Sequence, residues 1–280
     1  QGQAKLFCPA NWLSAVRQQL GEDTRLEIIA YSGGIQGLTK GVLGSLEPGC
    51  GQLGFEKDGM ELPLYLALNK GREHLNWQDV SAYLHRSRLI KGPEEIAALR
   101  RSAELARRTM ETAIELIKPG IREWDLMAEL EYFMRKNGSF GTPFTMKALS
   151  GENATRTINL PGEKIISEGE IVLLDFGATV GNYASDWTRS FAVKTATSEQ
   201  QELYALVWKI ERACIQLICP GITFGQLMEK AGEVIKGHRF AEHFNPYLGH
   251  SIGICSQEWP AIIPGAEMTL EENMVLTIEP

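Results

Sequence analysis

Apolar positions along the chain follow two different periods. From Ile96 onward, Leu99, Ala103, Ala106, Met110, Ala113, Ile114 and Ile117 return every three or four residues, as on one face of a helix. Pro93 suits the first turn of that helix, Glu94 and Glu95 suit its positive end, and Pro119-Gly120 stops it. A second amphipathic helix is predicted from Trp124 to Met134, and another from Gly225 to Ile235. Glu170 to Val193 instead reads strand, tight turn, strand. Ile171-Val172-Leu173-Leu174 is apolar throughout, so both faces of that strand are expected to be covered. Met274 to Ile278 reads as a closing apolar strand.

Upstream of residue 85 the apolar runs are short. Glu27 to Tyr31 reads as a strand leaving through Ser32-Gly33-Gly34, and Pro48-Gly49-Cys50-Gly51 as a turn. Gln52 to Glu56 is a short strand, and a helix starts near Pro63. The boundary is placed at Arg88 to Pro93. It separates a smaller α/β domain (1–87) from a larger α+β unit (88–280).

The larger unit contains an internal repeat. Leu116-Ile117-Lys118-Pro119-Gly120-Ile121 recurs as Leu217-Ile218-Cys219-Pro220-Gly221-Ile222 at an offset of 101, and Leu126-Met127 matches Leu227-Met228. Each copy is a long helix, a Pro-Gly break and a second helix, which points to duplicated α/β halves. Two such halves would enclose a site between them.

Charge narrows the partners. A net charge of −7, without a clustered run of Lys or Arg, argues against nucleic acid. No apolar stretch approaches the roughly 20 residues that span a bilayer. The five cysteines lack a CxxC pair, so neither a disulfide framework nor a thiolate zinc site is expected, and a reducing cytoplasmic setting is. A chain starting at Gln1 and stopping at Glu279-Pro280 is expected to be clipped at both ends.

Asp175 follows the apolar strand directly, and Asp186 lies on the returning strand. With Val180-Gly181 at the turn the two face one another. With Gly181-Asn182, a better dipeptide for a type II′ turn, they are diagonal neighbours. In either register they share a face. Two bare carboxylates about 5 Å apart repel by about 3 kcal/mol at an effective dielectric of 20. Shared protonation, an arginine partner such as Arg189, or a metal ion would each compensate. Hard oxygen donors suit a bridging dication. His250, between small residues in a turn-rich segment, and Glu279, at a strand end, would complete a mixed oxygen and nitrogen set.

The motifs here are specific. Leu174-Asp175-Phe176-Gly177-Ala178, followed by Asn182-Tyr183-Ala184-Ser185-Asp186-Trp187-Thr188-Arg189, resembles the "DFGA…GYxSDxTR" block of the pita-bread metallopeptidases. That family includes aminopeptidase P, prolidase and creatinase. Gly249-His250-Ser251-Ile252-Gly253 is similar to its "GHxxG" element, and Glu279-Pro280 to its "EP" element. Arg88-Leu89-Ile90-Lys91 is similar to the start of its catalytic domain.

The resemblance implies a pita-bread fold preceded by a creatinase/prolidase-type N-terminal domain, and assembly as a homodimer. It implies two divalent metal ions, with manganese first and cobalt or zinc as alternatives. Asp175, Asp186, His250 and Glu279 would be ligands, with Asp186 bridging and Glu279 also handling the proton of the attacking water. The expected substrate is a peptide or small amide cleaved near a free amino terminus, often before proline.

The chain departs from that pattern in three places. A second glutamate ligand, expected about two dozen residues beyond Glu279, is not in this sequence. The substrate-side histidines of the family fall on Ile158 and Gln257, neither of which can supply an imidazole. Three readings follow: a peptide-directed metallohydrolase, a relative acting on a small non-peptide substrate, and a binding module that keeps the fold. Trp124, Tyr132 and Trp208 are expected in the core. His74, His85, His238 and His243 are expected to be structural or on the surface, and Cys255 has no evident base to activate it.

Overall fold

The computed structural model describes residues 4–21, 26–47, 49–72, 75–156 and 158–280, so Pro48 of the expected turn and His74 lie outside the described residues. The chain divides into two compact units, residues 1–84 and 85–280.

In the first unit, strands and helices alternate: β1 (Ala4–Pro9), α1 (Leu13–Leu20), β2 (Leu26–Tyr31), α2 (Gly34–Gly44), β3 (Gln52–Phe55), α3 (Leu62–Asn69), β4 (Asn76–Asp79) and the start of α4 (Ser81–Leu89). Parallel strands need a crossover, and α1 and α3 provide it. Thus β1 pairs in parallel with β2, and β3 with β4. Phe55, Tyr65 and Trp77 pack ring to ring at 5.3–5.8 Å.

The second unit begins with α5 (Pro93–Leu116), where the Gly92 N–H donates to Glu95 at 2.7 Å and caps the helix start. There follow α6 (Glu123–Lys136), β5 (Lys147–Ser150), β6 (Ile171–Phe176), the short β7 (Thr179–Val180) and β8 (Tyr183–Ala184), and β9 (Trp187–Ala192). Then come α7 (Ser198–Leu217), α8 (Phe224–Ile235), β10 (Gly249–Ser251) and β11 (Glu258–Ile262). Strands β5, β6 and β9 form an antiparallel sheet, and β10 pairs with β11.

The repeat in sequence is a repeat in structure. Gly120 and Gly221 turn the chain between the helices of each pair with φ of 95° and 99°. Their N–H groups donate to Ile166 and Leu270, both at 2.9 Å. Each half buries its own core. Leu126, Leu130, Leu174 and Phe176 fill the first, and Phe224, Leu227, Leu248 and Ile262 the second. Each such side chain contributes about 1.5–3 kcal/mol.

Several expected core residues are outside. Ile114, Trp124, Tyr132 and Trp208 are 46–61% exposed. On α6 the inward face carries Leu126, Leu130 and Met134, and on α7 it carries Leu206, Ile210 and Cys214. Trp124, Tyr132 and Trp208 stand two residues from those positions, about 200° around the helix. The expected strand at 274–278 is reduced to single bridges, Met274 to Ile90 and Leu276 to Ser251. Strands β1, β4, β5 and β11 lie outside the elements expected from the sequence. Among the described residues no helix is long and apolar enough to cross a membrane.

Candidate metal centre

The hairpin from β6 to β9 sets the position of both aspartates. Asp175 pairs with Thr188, Phe176 with Trp187, Thr179 with Ala184 and Val180 with Tyr183. The turn is therefore Gly181-Asn182, and the aspartates are diagonal. Both turn residues have positive φ, 59° and 66°, which is the type I′ pattern rather than the expected type II′. Asp186 is not on a continuous returning strand but in the break between β8 and β9. The hairpin crosses closely there. A Cβ on Gly177 would lie 1.7 Å from the Ser185 carbonyl oxygen, so only glycine fits.

His250 sits in β10 and is buried, not in the turn-rich loop that the sequence suggested. The final residues run alongside it: the Thr277 N–H donates to the His250 carbonyl at 2.8 Å, and the Glu279 N–H to the Leu248 carbonyl at 2.7 Å. Gly249 permits this approach, with a φ of 152° and the Thr277 carbonyl oxygen 2.2 Å from where a Cβ would stand. The Nδ1 of His250 is 3.0 Å from the Ser251 carbonyl, which can only accept, so Nδ1 carries a proton. Nε2 is thereby directed to Asp186 Oδ2 at 3.5 Å and Glu279 Oε1 at 3.3 Å.

One donor atom from each of Asp186, His250 and Glu279 lies within 4.8 Å of the others. The electrostatics of this trio are unbalanced. Burial pushes the Asp186 carboxyl up, and the Glu279 and Asp175 charges add to that against the His250 hydrogen bond. Burial also acts on Glu279, but the His250 and Thr277 side chains beside it hold it below the usual carboxylate range. Burial opposes charge on His250, yet the two acids outweigh it and raise its pKa to about 10. The site attracts positive charge. Glu279 Oε1 is buried, and although His250 Nε2 stands 3.3 Å away, the two are not in good hydrogen-bond geometry. A divalent cation fits these donors: it would satisfy that oxygen and take the Nε2 lone pair, and two oxygens with one imidazole suit manganese, cobalt or zinc.

Asp175 is not in the trio. Lys147, directly opposite in the β5–β6 register, donates to its Oδ2 at 2.8 Å. A lysine was not among the compensating groups weighed from the sequence, because strand β5 was not anticipated and its register could not be read. Arg189 lies on the other face of β9, where it pairs with Leu174. Its guanidinium covers the Trp187 ring at 4.9 Å and reaches Glu211 at 4.0 Å. Ile158 is 86% exposed. Gln257 donates to the hydroxyl of Tyr247, whose ring centroid is 6.4 Å from that of His250.

Neither Tyr247 nor Glu123 carries a local signal in the sequence. The fully buried Glu123 carboxylate accepts from the Ser150 N–H and hydroxyl at 2.7 and 2.8 Å and from Asn153 at 3.0 Å, fixing the segment that leads to Ile158. His238 pairs with Glu202, and His243 with Glu242. His85 stacks on Trp259, and Cys255 is a free exposed thiol.

Comparison with known proteins identifies the family and the fold. Residues 97–280 match the model of metallopeptidase family M24. An Xaa-Pro dipeptidase of Pyrococcus furiosus is 35% identical over 193 residues, which cover 69% of this chain and 56% of that protein. The prolidase from Pyrococcus horikoshii superposes with a TM-score of 0.89 at 27% identity, covering 98% of this chain and 76% of that one. The Xaa-Pro dipeptidase from Bacillus anthracis gives 0.87 at 28%, covering 97% and 75%. The chain spans about six tenths of the length of the curated relatives it matches. The duplicated pita-bread architecture is that of these neighbours, and the chain belongs to metallopeptidase family M24.

Proposed function

We propose that this chain carries the cation site of a metal-dependent Xaa-Pro peptidase, with Asp186, His250 and Glu279 as ligands. The convergence of those three donors, with the buried Glu279 oxygen 3.3 Å from His250 Nε2, supports the reading. A divalent cation there supplies Lewis acidity, polarising an amide carbonyl and acidifying water. The residues do the rest. Ser251 fixes the His250 tautomer, and Glu279 offers a buried carboxylate to hold a proton. A second ion, as in the expected manganese pair, would need Asp175, whose Oδ2 Lys147 holds at 2.8 Å. Gln257 stands where an imidazole is expected by resemblance, and it donates to the Tyr247 hydroxyl. The five unpaired thiols suit the reducing cytoplasm, and assembly as a homodimer remains part of the proposal.

Ile158 and Gln257 favour a second reading, in which the metal site serves a small non-peptide substrate. The test takes the full-length protein, measures bound metal by elemental analysis, and follows proline release from Xaa-Pro dipeptides with added Mn²⁺. Bound metal with turnover supports the first reading, and loss of both in His250→Ala assigns the site. Metal without peptide turnover supports the second. No metal in the wild type overturns both.

A further inference from the structure

Lys147 has no part in the expected ligand set, yet it occupies one of its members. It stands directly across from Asp175 in the β5–β6 ladder, and cross-strand partners share a face of the sheet. The backbone therefore delivers the ammonium to the carboxylate. The ion pair closes at 2.8 Å with both side chains mostly covered, 22% and 18% exposed. Its neighbours Ala148 and Leu149 are fully buried, so the strand cannot slide to move the lysine away.

We propose that Lys147 is a tethered cation in the Asp175 half of the centre, so that the protein binds one divalent ion, at Asp186, His250 and Glu279, and not two. The inference rests on the reading of the trio as a metal site. At a metal–oxygen bond of about 2.1 Å, a dication on Asp175 Oδ2 would lie no more than about 5 Å from the ammonium. Two positive charges that close in a partly dry site repel strongly. A tethered group also competes at high local concentration, whereas the ion must come from solution. Among the described residues no lysine or arginine pairs with Asp186 or Glu279. Lysine thus performs for Asp175 the neutralisation that a second ion would provide, but it leaves no open coordination position. Asp175 then acts as a positioning residue: its negative charge holds Lys147, and it contributes to the field on Asp186 without ligating metal.

The test is a metal count with two variants of the full-length protein, read by isothermal titration with Mn²⁺ and by elemental analysis after desalting. The wild type is expected to bind one equivalent. Lys147→Met keeps the length of the side chain, removes its charge, and is expected to bind a second equivalent. Asp175→Asn still accepts a hydrogen bond from Lys147, and it is expected to keep one equivalent with an affinity within about threefold of the wild type. Two equivalents in the wild type overturn the inference and leave the proposed function standing. So does a fall of tenfold or more in Asp175→Asn affinity, and so does a folded Lys147→Met that gains nothing. Should Lys147→Met fail to fold, the wild-type count and Asp175→Asn decide. Absence of any metal in the wild type sinks the trio reading instead, and this inference with it.

Discussion

The Tyr183 hydroxyl donates to Glu95 Oε1 at 2.6 Å, tying the hairpin that presents Asp186 to the first turn of α5. The bond shifts both partners. The Tyr183 hydrogen bond, followed by that from the Gly92 N–H, holds Glu95 below its ordinary value of 4.5. Burial, followed by Glu95, pushes Tyr183 up to about 12. Glu95 therefore stabilises the fold above its unfolded pKa, and that contribution is lost as pH falls through the lower folded value. Tyr183 stabilises it below about pH 10, a contribution lost as pH rises towards 12.

Replacing Tyr183 with Phe is expected to cost about 1–2 kcal/mol near neutrality, since the bond has a charged acceptor. It should also remove the alkaline limb of the stability profile that Tyr183 supplies. Thermal unfolding of both proteins between pH 3 and 11 checks this. Superimposable profiles would dismiss the link.

Gly249→Ala should weaken metal binding although it alters no ligand. The new Cβ would meet the Thr277 carbonyl oxygen at 2.2 Å in a backbone conformation that disfavours side chains. The terminal segment must move, and Glu279 with it. An increase in the dissociation constant of tenfold or more is expected, with a loss of about 2 kcal/mol or more in stability. Isothermal titration and chemical unfolding measure the two effects, and wild-type affinity would show that Glu279 is not positioned this way.

Restoring imidazoles at Ile158 and Gln257 should raise turnover of Xaa-Pro substrates. Loss of one oxyanion-type donor commonly costs about 10²–10³ in rate, so the double variant is expected to gain at least about tenfold in kcat/KM. Ile158 is 86% exposed, so the substitution there costs no core packing. Steady-state kinetics with added Mn²⁺ decide the matter, and an unchanged kcat/KM would favour a non-peptide substrate.

The sequence was informative wherever the signal was local. Periodicity located α5, α6 and α8, and the Pro-Gly breaks exposed a duplication that Gly120 and Gly221 repeat down to their hydrogen bonds. Helical spacing does not say which face is inside, and Trp124, Tyr132 and Trp208, expected in the core, stand outside. The ligand candidates came from motif resemblance, because the spacing between Asp186 and His250 carries no geometric information by itself. Lys147, Tyr247 and Glu123 escaped notice for a related reason. Each acts through a contact whose partner is fixed by strand register or loop path, neither of which has a local signature.

The two separate cores of the larger unit give the proposed cation site a mechanical meaning. Asp186 comes from the half built on α5 and α6, whereas His250 and Glu279 come from the half built on α7 and α8. An ion held by all three is a rivet through the seam. Chelation would loosen the joint while leaving each interior packed, so amide exchange near Ala184 and Gly253, whose backbones bond across the halves at 2.8 Å, should quicken first.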